Sequence, residues 1–150
     1  MQPFVCLMHS ISDPKTMQKN PVYENVLLDI YDHLEQQVAA CVNAGLPKER
    51  IVVDPGIGFG KTLDHNLLLV RGLSLFHGLG CPVLLGVPGK ASIGGSGFAQ
   101  NLANGWAGLI AIAQEGLRQG CQFLRGLTIW GTNTQVNYCK RIREGGVDGQ

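Results

Sequence analysis

Residues 51–62, IVVDPGIGFGKT, run from an apolar strand candidate into a glycine-rich turn. The last three, Gly60-Lys61-Thr62, match the end of a Walker A loop, whose backbone N–H groups surround a phosphate. That motif also requires a glycine five positions before its last glycine. This chain has Pro55 there, which lacks an N–H and has a fixed φ. No later apolar strand ends in Asp, as a Walker B pattern would. A P-loop nucleotide binder is therefore the least favoured interpretation.

The sequence on both sides alternates between strand and helix patterns. Apolar runs predict strands at 4–8, 51–53, 82–87 and 121–124. Helical spacing or helix-like composition predicts helices at 26–42, 67–76, 102–117 and 134–143. Gly45 is placed to cap the first of these helices. The alternation predicts an α/β fold of parallel βα units, in one domain covering 1–150.

Composition excludes several classes of protein. The 150 residues carry a net charge of +1 with no basic run, so no nucleic-acid partner is expected. No apolar stretch is long enough to predict a membrane span, and the start of the chain lacks a signal-peptide pattern. The five cysteines form no CxxC pair, which indicates reduced thiols and a cytoplasmic location. Cys6, Cys81 and Cys121 are predicted to be core residues in strands.

Functional residues in a parallel sheet lie at the carboxyl ends of its strands. Four places meet that condition: Met8-His9, Asp54, the loop 86–95 that contains Lys90, and Arg125. A carboxylate, a lysine and an arginine would then converge on one face. Such a set suits a small polar ligand with an anionic part.

Each of these residues also has a purely structural interpretation. Asp54 before Pro-Gly is common turn chemistry, and Met8 fits core packing. Lys90 and Arg125 could be solvated surface residues, and His9 a satisfied histidine at the start of a loop. Lys61 and Thr62 could merely open a helix. The joint placement of the candidates carries the functional interpretation.

Longer strings give a family resemblance. VCLMHS, DPKTMQ, AGLPKERIVVDPGIGFGKTLDHNLLLVRGL and PVLLGV, together with a following lysine and IGG, are similar to dihydropteroate synthase of folate biosynthesis. The match is specific between residues 5 and 87 and weaker from 88 onward. The family fold is a (β/α)8 barrel, and the resemblance aligns this chain with strands 5–8, a C-terminal half barrel. These transferases condense 6-hydroxymethyl-7,8-dihydropterin pyrophosphate with para-aminobenzoate and release pyrophosphate.

The resemblance implies roles for individual residues. Asp54, the aspartate of the DPG string, would hydrogen-bond the pterin ring. Apolar or close-packed contacts to the pterin region are implied for Met8, Phe59 and Gly86. Lys90 would contact the pterin, and Arg125 would stack near it and meet an anion. No protein nucleophile is implied, because pyrophosphate leaves first and the amine then attacks the pterin carbocation.

The resemblance also implies partners and a cofactor. Para-aminobenzoate, sulfonamides and Mg2+ are expected ligands, although the family's Mg2+ and pyrophosphate ligands belong to strands that precede this alignment. A half barrel has two open edges and an uncovered apolar interior, with Val5, Leu7, Val53 and Leu84 expected to be exposed. We therefore expect a homodimer, a missing N-terminal half, or a poorly stable fragment.

Three strings depart from the family pattern. His9-Ser10-Ile11-Ser12 replaces HMRG or HMQG, Pro88-Gly89-Lys90-Ala91-Ser92 replaces SRKSF, and Arg125-Gly126-Leu127-Thr128-Ile129 replaces RVHDV. Single-base frame shifts in the gene would explain the last two. These departures keep open a second interpretation, a truncated or decayed pterin-binding module without turnover.

Overall fold

The computed structural model describes residues 3–10, 22–87 and 106–126. The strands are β1 Val5–Met8, β2 Ile51–Asp54, β3 Leu84–Gly86 and β4 Phe123–Arg125. The helices are α1 Val26–Asn43, α2 Leu63–Arg71 and α3 Trp106–Arg118. Two 3-10 helices lie at Lys48–Arg50 and Leu73–Leu79. The predicted helix at 134–143 lies outside the described residues.

The strands are parallel and follow one another in chain order. β1 pairs with β2, and β3 pairs with β4. A single parallel bridge between Val53 and Val83 connects the two pairs, and the N–H of Val53 donates to the carbonyl of Pro82 at 2.9 Å. Each strand is followed by a helical segment before the next strand begins. The predicted parallel α/β fold is confirmed.

Helix α1 forms where the apolar spacing predicts it. The side chain of Asn25 caps its first turn by accepting from the N–H of Leu28 at 3.3 Å. Its buried residues recur every four positions and face the sheet: Val26, Ile30, Leu34 and Val38. Gly45 follows the helix with a φ of +92°, a left-handed conformation that suits glycine.

The second predicted helix, at 67–76, is wrong at both ends. Helix α2 begins earlier, at Leu63, because Thr62 and His65 form a capping box. It ends at Arg71, and a separate 3-10 helix follows. Leu73, Phe76 and Leu79 are buried there at a spacing of three, the repeat that aligns side chains on one face of a 3-10 helix.

The two faces of the sheet differ in burial. Ile51, Val53 and Leu85 point toward the helices and are fully buried. Phe123, on the opposite face, is 48% exposed. We call this opposite face the inner face; its residues are Cys6, Met8, Val52, Asp54, Leu84, Gly86, Phe123 and Arg125.

The expected exposure of the apolar strand residues is correct only in part. Val53 is fully buried because its side chain points to the helices, and Val5, Leu7 and Leu84 are half-buried. The prediction for the cysteines is also partly wrong. Cys6 lies in β1 but is exposed, while Cys81 is buried just before β3 rather than in it. Cys121 is half-buried and precedes β4.

Helix α3 packs tightly onto β3. A Cβ at Gly116 would overlap the side chain of Leu85, so the glycine permits the close approach. Residues 102–105 of the predicted third helix lie outside the described residues. Within the part of the chain that the structure describes, no helix combines the length and the apolar character needed to cross a lipid bilayer.

Candidate functional site

Four of the six residues predicted to form a site lie together at the carboxyl ends of the strands. Met8 pairs with Asp54 at the ends of β1 and β2, and Gly86 pairs with Arg125 at the ends of β3 and β4. All four belong to the inner face. Phe59 is half-buried in the loop after β2. Lys90 lies outside the described residues.

Asp54 is a buried carboxylate, 1% exposed, with two different oxygen environments. Oδ1 accepts the backbone N–H of Gly56 at 2.8 Å. Oδ2 lies 3.5 Å from Nη2 of Arg125, whose side chain is 58% exposed. Burial raises the pKa of Asp54, against the opposing effects of the Gly56 N–H and the positive charges of Arg125 and Lys61. A ligand that donates hydrogen bonds to this carboxylate would relieve its desolvation.

Gly86 leaves the space in which Arg125 and Asp54 meet. A Cβ at this position would lie 2.9 Å from Nη2 of Arg125 and 3.4 Å from Oδ2 of Asp54. Any side chain here would therefore push the guanidinium away from the carboxylate. The contact between Arg125 and Asp54 therefore depends on glycine at the end of β3.

The glycine-rich loop after β2 directs its polar groups into the protein. Gly56, Gly58 and Gly60 have φ values of +72°, +86° and +62°. The N–H of Gly56 is bound to Asp54, and the N–H of Gly58 donates to Oδ1 of Asn66 at 2.8 Å. These two N–H groups do not point toward a common phosphate site, which is a further argument against a P-loop.

Lys61 was not predicted to take part in the site, yet it is only 6% exposed. Its ammonium donates to the carbonyl of Gly56 at 2.7 Å and to that of Phe59 at 2.8 Å. Burial lowers the pKa of Lys61 to about 7, although the charge of Asp54 opposes the shift. A lysine at the start of a helix gives no sequence signal of burial. Its place inside a loop with three glycines is the one available hint.

His9 is buried directly after β1 and is not the satisfied histidine that the structural interpretation expected. Its backbone N–H donates to the carbonyl of Asp54 at 3.0 Å, but its Nδ1 has no hydrogen-bond partner among the described residues. Its ring meets those of His33 and Tyr23, with centroids at 5.0 and 6.1 Å. Burial, followed by the charges of Lys61 and His33, lowers the pKa of His9 to about 3. The imidazole is therefore neutral at physiological pH.

The groups that line the inner face at the strand ends are suited to recognition of a ligand. Asp54 can accept two hydrogen bonds from a planar donor edge, and Arg125 can meet an acceptor or an anion from a more exposed position. Met8 supplies apolar surface next to the carboxylate. Residues 3–10, 22–87 and 106–126 contain no group of three or more His, Cys, Asp or Glu side chains that could hold a metal ion.

These features define a class: an α/β protein with parallel strands in chain order and a ligand-binding face at their carboxyl ends. The sequence matches the pterin binding enzyme family over residues 1–125. The chain belongs to that family, and the predicted resemblance is confirmed.

Comparison with individual proteins agrees with this assignment. The dihydropteroate synthase of Escherichia coli strain K12 is 39% identical over 115 residues, which are 75% of this chain and 41% of the relative. The Yersinia pestis dihydropteroate synthase, solved as a sulfonamide drug complex, superposes with a TM-score of 0.82 at 32% identity. The Xanthomonas albilineans enzyme, solved with 7,8-dihydropteroate, gives a TM-score of 0.77 at 27% identity.

The matches cover nearly all of this chain but only about half of each solved structure. The matches to the Yersinia and Xanthomonas structures cover 95% and 93% of this chain, but 52% and 50% of those chains. The chain therefore spans about half the length of the solved structures and less of the curated relative.

Proposed function

We propose that this chain supplies the pterin-binding side of a dihydropteroate synthase. The observation that carries the proposal is the buried carboxylate of Asp54 on the inner face, with Oδ2 lying 3.5 Å from Arg125 and bound by no backbone donor among the described residues. A carboxylate buried at a strand end, with a conformationally demanding glycine loop built around it, is an arrangement suited to recognition of a ligand.

The chemistry of a pterin fits this arrangement. One edge of the ring carries an amino group and a ring N–H, which together match the two acceptor oxygens of a carboxylate. Met8 and Phe59 would cover the flat faces of the ring, and Arg125 would meet ring acceptors or the pyrophosphate. Lys90 would contribute a second cation, as the family resemblance implies.

The reaction proposed for the complete enzyme needs positioning rather than a protein nucleophile. Pyrophosphate leaves the pterin methylene carbon, and the amine of para-aminobenzoate attacks the resulting cation and then loses a proton. The contribution of this chain would be to orient the pterin and to stabilise charge beside it. We propose that this takes place in a (β/α)8 barrel of which these strands form one half.

The other partners follow from the same proposal. Para-aminobenzoate would enter next to the pterin, and sulfonamides would compete with it, as the Yersinia pestis drug complex suggests. Mg2+ remains a proposal for the pyrophosphate end of the substrate. The described residues do not offer a ligand set for it, so no step above depends on the ion.

A pterin-binding module without turnover is the second candidate. The exposure of Cys6 and Phe123 on the inner face is expected under both candidates, because the described strands form one wall of a site in each. The two candidates share the pterin and differ in whether para-aminobenzoate is consumed when this chain is assayed by itself.

Calorimetric titration with pterin-6-carboxylic acid tests the shared part. The wild-type chain should bind, and Asp54→Asn should lose about tenfold or more in affinity, because an amide replaces one acceptor oxygen by a donor. Asp64→Asn is the matched control, since Asp64 is an exposed carboxylate in the first turn of α2. Equal affinity in the wild type and Asp54→Asn would refute the proposal.

A further inference from the structure

We propose that Lys61 is a positioning residue for Asp54, acting through the backbone of Gly56, whose carbonyl and N–H belong to the two peptide groups on either side of its Cα. The ammonium holds the carbonyl side of Gly56, and the N–H side of Gly56 holds the carboxylate. The inference rests on the proposed function, in which Asp54 receives the pterin, but its geometry belongs to the free protein.

The first link is the attachment of Lys61 to the loop. Nζ lies 2.7 Å from the carbonyl oxygen of Gly56 and 2.8 Å from that of Phe59. The N–H of Phe59 donates to the same Gly56 carbonyl at 3.1 Å. The ammonium therefore ties both ends of a tight turn from inside the protein.

The second link joins the turn to the carboxylate. The N–H of Gly56 donates to Oδ1 of Asp54 at 2.8 Å. The backbone of Asp54 is fixed separately, because its carbonyl accepts the N–H of His9 at 3.0 Å. The Gly56 N–H then restricts rotation of the carboxylate about its side-chain bonds. Oδ2 remains directed toward Arg125 and Gly86.

A charged side chain at this buried position needs an explanation. An ammonium is costly to remove from water, and a methionine would fill similar space without that cost. Methionine would, however, remove the ammonium donor from the carbonyls of Gly56 and Phe59, and the Gly56 carbonyl would keep the N–H of Phe59 at 3.1 Å. The lysine is thus suited to holding the turn and, through it, the orientation of Asp54.

Lys61→Met is the principal variant, with Lys61→Arg as the conservative one. Lys48→Met is the matched control, because it removes an exposed lysine that precedes β2, at the opposite end of the strand. Two readouts are measured: amide hydrogen exchange at Gly56 in the free chain, and affinity for pterin-6-carboxylic acid. We expect Lys61→Met to speed Gly56 exchange by about tenfold or more relative to the amides of β2.

The same variant should weaken pterin affinity by about tenfold, with partial rescue in Lys61→Arg and no change in Lys48→Met. Unchanged Gly56 protection in Lys61→Met would overturn the inference, and so would exchange that rises equally throughout β2 and the loop. If Lys61→Met does not fold, Lys61→Gln replaces it and the same two results decide.

Failure of the proposed function would look different. If the wild-type chain binds no pterin, the proposed function fails, while Gly56 exchange still decides the role of Lys61. If the wild type binds and Lys61→Met loosens Gly56 without any loss of affinity, Lys61 does not position Asp54 for the ligand, and the inference alone is overturned.

Discussion

Three titratable side chains near the strand ends, those of Asp54, Lys61 and His9, have pKa values shifted by burial. All three side chains are buried and lie at or shortly after the carboxyl ends of β1 and β2. Burial raises the pKa of Asp54 and lowers the pKa values of Lys61 and His9, so in each case it favours the neutral form. The stability of the protein therefore depends on pH through these individual residues.

His9 gives a pH prediction with a definite sign. Its pKa is about 3 in the folded protein and near its ordinary value of 6.5 when unfolded, so only the unfolded state binds the proton between these values. Stability from His9 is present above about 6.5 and is lost as the pH falls toward about 3, by about 1.4 kcal/mol per pH unit at most.

Urea unfolding of the wild type and His9→Gln, at about pH 7 and about pH 4.5, measures this contribution. The wild type should lose more stability than the variant over that interval. An equal loss in both proteins would mean that His9 takes up its proton in the folded state as readily as in the unfolded one.

The placement of Asp54 and His9 at strand ends could be predicted from the sequence, whereas the burial of Lys61 could not. The rule that sites lie at carboxyl ends of parallel strands needs only the end of an apolar run, and Asp54 ends one. The burial of Lys61 depends on how the loop folds back over the end of β2. No local pattern records that path.

Among the elements, the loop between β2 and α2 has the strictest steric requirements. A Cβ at Gly56 would overlap the carbonyl oxygen of His9, so the loop and the end of β1 approach each other at this glycine. The N–H of Gly58 donates to Oδ1 of Asn66, whose side-chain amide donates to the carbonyl of Thr62, so the loop is tied to the start of α2.

Gly56→Ala should therefore destabilise the chain by more than about 2 kcal/mol, because it adds a backbone clash to the strain of a positive φ. Gly45→Ala is the matched control: its φ is +92°, but nothing lies within 4 Å of the added Cβ. It should cost only the conformational strain, about 1 kcal/mol. Thermal or urea unfolding compares the two variants, and similar losses would contradict the close approach of Gly56 to His9.

Element boundaries show where sequence patterns are ambiguous. The spacing in α1 is strictly helical, and its predicted span agrees with Val26–Asn43 to within a residue at the carboxyl end. The leucine-rich stretch from Leu67 onward fits the spacing of an α-helix and that of a 3-10 helix. In the structure, α2 ends before Gly72 and a 3-10 helix begins after it. A Cβ at Gly72 would lie 2.6 Å from the side chain of Leu27 in α1, so tertiary packing selects this glycine as the boundary.

At the scale of the whole molecule, the helices cover one face of the sheet and the inner face is partly open. Phe76 in the 3-10 helix is fully buried, while Phe123 on the inner face is 48% exposed. Of the four apolar strand residues predicted to be exposed, only Leu84 belongs to the inner face, where it is half-buried. The pleat turns Val5, Leu7 and Val53 toward the helices. Assigning side chains to faces required the register, which the sequence pattern did not determine.

The two phenylalanines provide a direct comparison. Phe76→Ala should cost about 3–5 kcal/mol, as expected for a buried aromatic residue. Phe123→Ala should cost less than about 1 kcal/mol, since half its side chain already contacts solvent. Urea unfolding at several protein concentrations measures both. A large, concentration-dependent loss in Phe123→Ala would contradict an open inner face and would indicate that a second copy covers it.

The proposed function requires that a pterin binds on the inner face at the carboxyl ends of β1–β4. Amide chemical-shift mapping during titration with pterin-6-carboxylic acid reports where the ligand binds. Shifts are expected at Gly56, Gly86 and Arg125, with Gly45 and Gly120 at the opposite ends of the strands unaffected. Shifts concentrated at Gly45 and Gly120, or no shift in a folded chain at saturating ligand, would contradict it.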